Sequence, residues 1–170
     1  YLIKHKHWSP FEMVNMCVEI NTTRSISSQI LRHRSFSFQE FSQRYANVEE
    51  LELPTPPKLR LQDPKNRQNS IDNPNLMNKE QLEHTIHTNY IHAYNLYRNL
   101  LDAGIAKECA RDVLPMGTPT RLYMNGTLRS WIHYVELRTA NGTQKEHQDI
   151  AFACQQLIKT QFPLTYEAFS

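Results

Sequence analysis

Glycine is scarce in this chain, with four glycines among 170 residues. They form neither a Gly-x-Gly-x-x-Gly segment nor a Walker phosphate loop. Both devices need glycine where backbone N–H groups come close to a phosphate. We therefore do not expect a dinucleotide bound in the Rossmann manner.

Cysteine is also rare, and the three cysteines are widely separated in the sequence. Cys17, Cys109 and Cys154 are far apart and form no Cys-x-x-Cys pair. An odd number of separated cysteines favours a reducing, cytoplasmic compartment, and the apolar neighbours of each predict three small buried side chains. None has an adjacent His or Arg that would lower its pKa, so we expect no cysteine nucleophile.

Long apolar runs are missing as well. No segment approaches the ~20 apolar residues that span a bilayer, and the start of the chain lacks the features of a signal peptide. We expect a soluble protein whose first residue, Tyr1 instead of Met, marks a trimmed or fragmentary start. Because the net charge is only +2, a surface that tracks nucleic acid phosphates is a poor fit.

Metal-binding patterns are weak. His84, His87 and His92 have helical spacing, but no Cys or carboxylate stands at a usual zinc spacing from them. We predict a polar helix face there and no metal site.

The most informative segment is Arg32–Tyr45, which combines arginines with an imidazole, a carboxylate, hydroxyls and aromatic rings. Arginine binds planar or phosphate anions through a rigid fork of donors. A solvated basic face is the ordinary alternative. We instead expect the interleaved Phe36, Phe38, Phe41 and Tyr45 to be at least partly buried and to enclose an anion pocket suited to a nucleotide.

The segment resembles a known signature. Arg32-His33-Arg34, then seven residues, then Ser42 and Gln43-Arg44-Tyr45 is similar to the motif of flavin-dependent thymidylate synthases. Three more stretches resemble that family in the same order: His7–Glu12, Ala110–Pro115 and Arg129–Arg138. Four segments in order are far more specific than one.

The resemblance implies an α+β fold, with an antiparallel or mixed sheet flanked by helices. It implies one domain over residues 1–170 that lacks an N-terminal part of the family. It also implies an enzyme that binds FAD and converts dUMP to dTMP, with methylenetetrahydrofolate as carbon donor and NADPH as hydride source. The family assembles as a homotetramer with sites shared between subunits, and we expect the same here.

The resemblance also assigns residues. The FAD contacts that it implies are Ser9, Arg32, His33, Arg34, Glu40, Thr127, Arg129 and His133. The dUMP contacts that it implies are Gln29, Arg32, Glu40, Ser42, Gln43, Arg44, Arg111 and Arg138.

Among these, Arg138 is the predicted catalytic residue, because a guanidinium at the uracil edge would favour the N3-deprotonated base. Two other interpretations stay open. Glu40 has the spacing of a salt bridge to Arg44. His133 could instead be a core histidine with its hydrogen bonds satisfied. The alternative function is a non-catalytic nucleotide- or RNA-binding module that uses residues 32–45.

Apolar periodicity predicts the regular elements. Alternation predicts strands over 14–22 and 120–125, with Thr22 and Thr23 as helix-capping hydroxyls after the first. Helical spacing predicts helices over 25–34, 78–103, 106–111, 127–138 and 146–161.

Two features refine this prediction. On the last helix we expect Ile150, Ala153, Cys154, Leu157 and Ile158 to share the buried side. The proline-rich residues 53–75 predict a long irregular excursion.

Overall fold

A computed structural model describes residues 1–46, 48 and 51–169. Its described strands are Asn15–Thr23 (β1), Ser37–Glu40 (β2), Leu61–Gln62 (β3), Ser70–Ile71 (β4) and Pro119–Thr127 (β5). Its described α-helices are Arg24–Ile30 (α1), Lys79–Asp102 (α2), Lys107–Ala110 (α3), Leu128–Thr139 (α4), Lys145–Gln161 (α5) and Pro163–Phe169 (α6). Short 3₁₀ turns lie at Ser9–Glu12 and Arg111–Val113. The α+β prediction is confirmed.

The main sheet has the order β1-β5-β2, and β5 pairs antiparallel with both neighbours. Ile20 of β1 pairs with Leu122, and Phe38 of β2 pairs with Met124. Side chains of β5 alternate between buried and exposed positions, as expected for a strand with one face on the core. The opposite face carries polar side chains such as Arg121 and Tyr123, which are exposed.

Helices α4 and α5 contribute most of the core that covers the inner face of this sheet. Trp131 of α4 is fully buried, and its Nε1 donates to the Met16 carbonyl of β1 at 2.9 Å. Phe36 stacks edge-on against Trp131, with ring centroids 4.9 Å apart. Phe36 also lies against Gly126, where an added Cβ would collide with its ring. The missing side chain at position 126 therefore lets the residues before β2 close over β5.

A second, smaller cluster lies around α2 and α3, where Val48, Tyr94, Tyr97 and Ala110 are buried. Helix α2 begins after Asn78 and ends before Gly104, whose φ of 80° is a left-handed conformation that suits glycine. The predicted helix is confirmed. Its predicted apolar stripe is only partly buried, since Leu82 is exposed.

The predicted strands and four of the predicted helices match the structure within two residues at every end. The helix predicted over 25–34 is the exception, because α1 ends at Ile30. Residues 31–36 instead form a turn that brings Ser37–Glu40 into register with β5. Arg32 therefore lies beyond the helix, not on one helix face with Gln29. The excursion over 53–75 is irregular apart from the β3–β4 pair.

Three burial predictions are wrong. Cys17 and Cys109 are exposed, because β1 alternation turns Cys17 outward and α3 directs Ala110 inward. Tyr45 is exposed because it lies in a surface turn after β2. On α5 the buried side is His147, Ala151, Cys154 and Ile158, so Ala153 and Leu157 face solvent.

Thr23 occupies the position before α1, but its side chain does not cap the helix; its hydroxyl contacts that of Ser25 at 2.8 Å. Among the residues that the structure describes, no helix is both long and apolar enough to cross a bilayer.

Candidate functional site

A cavity of about 680 Å³ opens beside the N-terminus of α4; we call it the α4 cavity. It is lined by Trp8, Glu12, Ser35, Thr127, Arg129, Ser130, Ile132, His133 and Glu136. Arg129 and His133 lie one helical turn apart, so both side chains reach the same opening. His133 is exposed, which excludes the interpretation of a core histidine.

The first turn of α4 gives this cavity a positive end. Thr127 caps the helix, since its Oγ1 accepts from the Ser130 backbone N–H at 3.3 Å. The helix dipole adds partial positive charge there. The guanidinium of Arg129 forms an ion pair with the Glu12 carboxylate across the opening. The cavity therefore offers hydroxyl, guanidinium and imidazole groups to a polar ligand.

A second cavity, of about 300 Å³, lies at the end of the sheet where α1 begins; we call it the arginine cavity. It is lined by Arg24, Gln43, Arg111, Asp112, Leu114, Pro115, Met116 and Thr118. Gln43 is 7% exposed, and its Nε2 is buried without a hydrogen-bond partner in the described part of the chain. A buried amide donor in a cavity that is also lined by two arginines is a combination that an anion would satisfy.

Glu40, at the end of β2, organises one wall of the arginine cavity. Its Oε1 accepts from the Ser27 hydroxyl at 2.6 Å and from the Thr120 hydroxyl at 3.0 Å. The same oxygen lies 3.1 Å from Nη1 of Arg24. Glu40 therefore pairs with Arg24. The pair with Arg44 that the sequence spacing suggested does not form. The side chain of Glu40 is 17% exposed and that of Arg24 is 37% exposed, so only the carboxylate end of the pair is enclosed.

Arg44 has a different carboxylate partner. It donates through Nε and Nη2 to Glu108 Oε2, at 3.2 and 2.9 Å, and its guanidinium lies 5.6 Å from the Tyr45 ring centroid. Arg111 donates to the backbone carbonyl of the same Glu108 at 3.3 Å. The structure thus brings Arg44 and Arg111 to one residue, but only Arg111 lines the arginine cavity.

The predicted catalytic residue Arg138 contacts the imidazole of the signature segment. Its Nε donates to His33 Nε2 at 2.9 Å. Burial, together with the positive charge of Arg138, lowers the pKa of His33 to about 4. At neutral pH His33 is therefore an uncharged acceptor that orients the guanidinium without competing with it for an anion.

Next to this pair lies a buried imidazole that the sequence analysis did not identify. His147 is fully buried, with its Nε2 3.1 Å from the Tyr134 hydroxyl and its Nδ1 3.4 Å from Gln29 Oε1. Its ring centroid lies 6.2 Å from that of His33. Burial, followed by the charge of Arg138, lowers the pKa of His147 to about 4.

The remaining predicted contacts are on the surface of this chain. Ser9, Arg32, Arg34 and Ser42 are exposed and line neither cavity. The Ser42 carbonyl accepts from the backbone N–H groups of Tyr45 and Ala46, which closes a turn. The side chains of Arg32 and Arg34 make no ion pair or hydrogen bond to the residues described.

Sequence analysis missed Arg24, Thr118, Trp8 and Glu12, which line the two cavities. Arg24 stands at a strand-to-helix junction with no local motif to mark it, and its partners come from β2 and from the region after α3. Glu12 was visible only as the end of the His7–Glu12 stretch.

Comparisons with known proteins identify the family of this chain. Residues 1–164 match the model of a family described as thymidylate synthase complementing protein. A probable flavin-dependent thymidylate synthase from Paramecium bursaria Chlorella virus 1 is 53% identical over 163 residues, covering 96% of this chain and 74% of the relative. A flavin-dependent thymidylate synthase from Synechocystis sp. is 50% identical, with the same coverage.

A more distant relative, the flavin-dependent thymidylate synthase of Thermosipho melanesiensis, is 34% identical over 169 residues. That match covers 99% of this chain and 73% of the relative. The chain belongs to the flavin-dependent thymidylate synthase family, and the predicted resemblance is confirmed.

Proposed function

We propose that this member of the family is an FAD-dependent thymidylate synthase that converts dUMP to dTMP in the cytoplasm. Methylenetetrahydrofolate is the proposed carbon donor, and NADPH is the proposed source of the hydride. The observation that carries the proposal is the arginine cavity, which is lined by Arg24, Arg111 and Gln43, the last with a buried amide nitrogen that has no partner among the described residues.

The nucleotide phosphate suits this cavity. Its oxygens would accept from Gln43 Nε2, which removes the penalty of a buried unpaired donor of about 1–3 kcal/mol. Arg111 and Arg24 would add charge-assisted hydrogen bonds in the fork geometry that phosphate prefers. Glu40 holds Arg24 at the cavity wall through the 3.1 Å pair. Arg44 would reach the phosphate by exchanging its Glu108 partner.

The base would lie against Arg138. Because Nε already donates to neutral His33, the terminal nitrogens are left to face the uracil edge. A fixed positive charge there lowers the pKa of uracil N3 and stabilises the anionic base. The anion carries more electron density at C5, the carbon that accepts the new group. Gln29, whose amide lies between α1 and α5, would add a hydrogen bond to the base.

The α4 cavity fits a flavin nucleotide, which would supply the hydride-transfer chemistry when bound. Its volume of about 680 Å³ is within the range of cofactor sites. The capped N-terminus of α4, Arg129 and His133 would bind the phosphates and the ring edge. The role of the chain is to position the ring and to keep its surroundings positively charged.

Assembly would complete the site. Arg32, Arg34, Ser9 and Ser42 are exposed on one chain, yet the family resemblance assigns them to ligands. We propose a homotetramer in which these residues contact ligands held partly by a neighbouring subunit. Light scattering should give the mass of four chains, and a monomer would contradict this part of the proposal.

A cysteine nucleophile is not needed in this scheme. Cys17, Cys109 and Cys154 do not line either cavity, and burial raises the pKa of the Cys154 thiol to about 12. The variants Cys17→Ser and Cys109→Ser should retain the rate of dTMP formation. Loss of turnover in either variant, with the protein still folded, would contradict a cysteine-free mechanism.

The first experiment is an absorbance spectrum of the purified protein, repeated after anaerobic addition of NADPH with and without dUMP. We expect flavin bands that bleach with NADPH, followed by dTMP formation once methylenetetrahydrofolate is added. A folded protein that neither retains nor takes up FAD would overturn the proposal. The variant Arg129→Gln should lower FAD affinity, whereas Lys145→Gln, which removes a charge from an exposed pair on α5, should not.

A further inference from the structure

A series of hydrogen-bonded polar side chains runs from Arg60, in the irregular segment 53–75, to the buried His147. We propose that His147 is a positioning residue that fixes the side-chain amide of Gln29 in one orientation, and that Glu146 dictates this orientation through a one-way series of hydrogen bonds. The functional part of this inference rests on the proposed function, in which Gln29 contacts the nucleotide.

The series begins at an ion pair. Arg60 donates through Nη1 and Nη2 to the two oxygens of Glu146, at 2.7 and 2.9 Å. The Arg60 side chain is only 12% exposed, and its Nε donates to Ser70 on β4. The paired carboxylate is ionised at neutral pH, since Arg60 and Gln144 lower the pKa of Glu146 against the effect of burial. An ionised carboxylate can only accept hydrogen bonds.

That constraint passes along two amides. Gln144 must present its nitrogen to Glu146, and its Nε2 lies 3.0 Å from Glu146 Oε2. The amide oxygen of Gln144 then faces Gln29, so Gln29 must donate: its Nε2 lies 2.7 Å from Gln144 Oε1. The amide oxygen of Gln29 is consequently turned towards His147. Reversal of either amide would place two donors, or two acceptors, against each other.

The constraint ends at the imidazole. Because Gln29 Oε1 accepts, the proton of neutral His147 must be on Nδ1, 3.4 Å from that oxygen. Nε2 is then the acceptor, and the Tyr134 hydroxyl, 3.1 Å away, must donate to it. A protonated ring would have two donors, so its Nε2 could no longer accept the hydrogen bond from the Tyr134 hydroxyl. The pKa of about 4 keeps the ring neutral.

This arrangement matters because an amide has one donor end and one acceptor end of nearly equal shape. A Gln29 side chain free to rotate by half a turn would present the wrong end to a bound base for part of the time. Fixing the amide before the ligand arrives reduces the free energy spent on ordering it. His33 and Arg138 lie directly beside the imidazole, so the series supports the proposed base-binding face.

The tautomer can be read directly. Nitrogen-15 NMR of the full chain, labelled in histidine, should show the His147 ring as a neutral Nδ1–H tautomer at pH 7. Its signals are identified by their loss in His147→Asn. A neutral Nε2–H tautomer, or a ring that titrates near 6.5, would overturn the inference. This readout does not depend on nucleotide binding.

The functional consequence is tested with matched variants. Asn can place an amide N–H near the position of Nδ1, whereas Leu cannot. We expect His147→Leu to raise the dissociation constant for dUMP roughly tenfold, with a smaller change in kcat at saturating dUMP. His147→Asn should restore most of the affinity. Glu146→Gln should also weaken dUMP binding, while Asp149→Asn, the same change at an exposed position of α5, should not.

The positioning role would be overturned if His147→Leu and His147→Asn weakened dUMP binding equally. It would also be overturned if no folded variant changed the dissociation constant for dUMP. Thermal melting identifies variants that fail to fold. If His147→Leu does not fold, the test rests on Glu146→Gln. If the unaltered protein does not bind dUMP, the proposed function fails, and the tautomer alone then decides whether the series of hydrogen bonds is real.

Discussion

Two polar clusters of this protein, each with fully buried members, differ in one respect. The closed cluster, formed by Gln29, His33, Tyr134, Arg138 and His147, lies between α1, α4 and α5, and each of these side chains has a polar partner. The open cluster comprises Gln43, Arg111 and Thr118 of the arginine cavity together with Tyr97 of the adjoining α2–α3 core, against which Leu114 of that cavity packs. There, Gln43 Nε2 and the Tyr97 hydroxyl are buried without a partner in the described residues.

The difference assigns different tasks to the two clusters. Saturated polar networks fix the geometry of their members, because any rotation leaves a buried group unpaired. Unsaturated buried donors reduce the stability of the ligand-free protein and are tolerated where a ligand completes them. We therefore infer that the closed cluster positions Arg138 and Gln29, and we propose that the open cluster binds an anion. The predictions below test that distinction, from the largest expected effect to the smallest.

Removing a cation from the open cluster should have the largest effect. In Arg111→Gln we expect the dissociation constant for dUMP to rise on the order of a hundredfold, about 3 kcal/mol, because a charge-assisted contact is lost from an enclosed site. Titration calorimetry measures it. The control Arg121→Gln removes an arginine from the exposed sheet face, and an equal loss there would mean that only general charge matters.

Acid should act on the closed cluster. The folded pKa of His147, about 4, lies below the usual value of 6.5, so the unfolded chain binds the proton first. The stability that His147 contributes is complete above pH 6.5 and is lost as the pH falls towards 4. We expect about 2 kcal/mol less free energy of unfolding by pH 5 from this group.

Urea unfolding at pH 7 and pH 5 measures this loss, and His147→Asn should show a correspondingly flatter dependence between the two pH values. If the free energy of unfolding changed equally with pH in the two proteins, His147 would not be a cause of the acid sensitivity.

Replacing an unpaired amide should separate stability from binding. We expect Gln43→Met to raise the free energy of unfolding of the ligand-free protein by about 1 kcal/mol, because a buried unpaired donor disappears. The same variant should bind dUMP roughly tenfold more weakly. In contrast, Gln148→Met should destabilise, since Gln148 Nε2 donates to the Thr139 carbonyl at 3.0 Å. A destabilised Gln43→Met protein would mean that Gln43 already has a partner.

The smallest effect comes from a matched pair of fully buried tyrosines. Tyr134→Phe should lower the free energy of unfolding by about 1 kcal/mol, because the hydrogen bond to His147 is lost. Tyr97→Phe should leave stability unchanged or slightly raised, as its hydroxyl has no partner among the described residues. Chemical unfolding of both variants in one buffer gives the comparison, and equal losses would erase the distinction between the clusters.

Much of the fold could be predicted from local pattern. Alternation in Asn15–Thr23 and in Pro119–Thr127 identified the two longest strands, and helical periodicity with Asn78 and Gly104 at its ends identified α2. These signals are local because each strand or helix buries one face. Strand β2 and the early end of α1 were not predicted, since Ser37–Glu40 becomes a strand only by pairing with β5.

The candidate site was predicted as residue types but not as partners. The family resemblance selected Arg138, His33, Gln29, Gln43 and Arg111, and the structure places all five in or beside the two clusters. It did not select Arg24 or His147, because neither lies in a recognisable motif. Nor did it foresee that Glu40 pairs with Arg24 while Arg44 pairs with Glu108.

The sequence by itself determined the family, the α+β class, four of the six α-helices described, the two long strands, and the supply of arginines, amides and imidazoles. Only the tertiary structure decided which of these groups meet. Residues 29, 33, 138 and 147 come from three separate parts of the chain, and so do residues 24, 43 and 111. The physical reason is that a hydrogen bond or a buried charge depends on distance and solvent exclusion, and folding alone sets both.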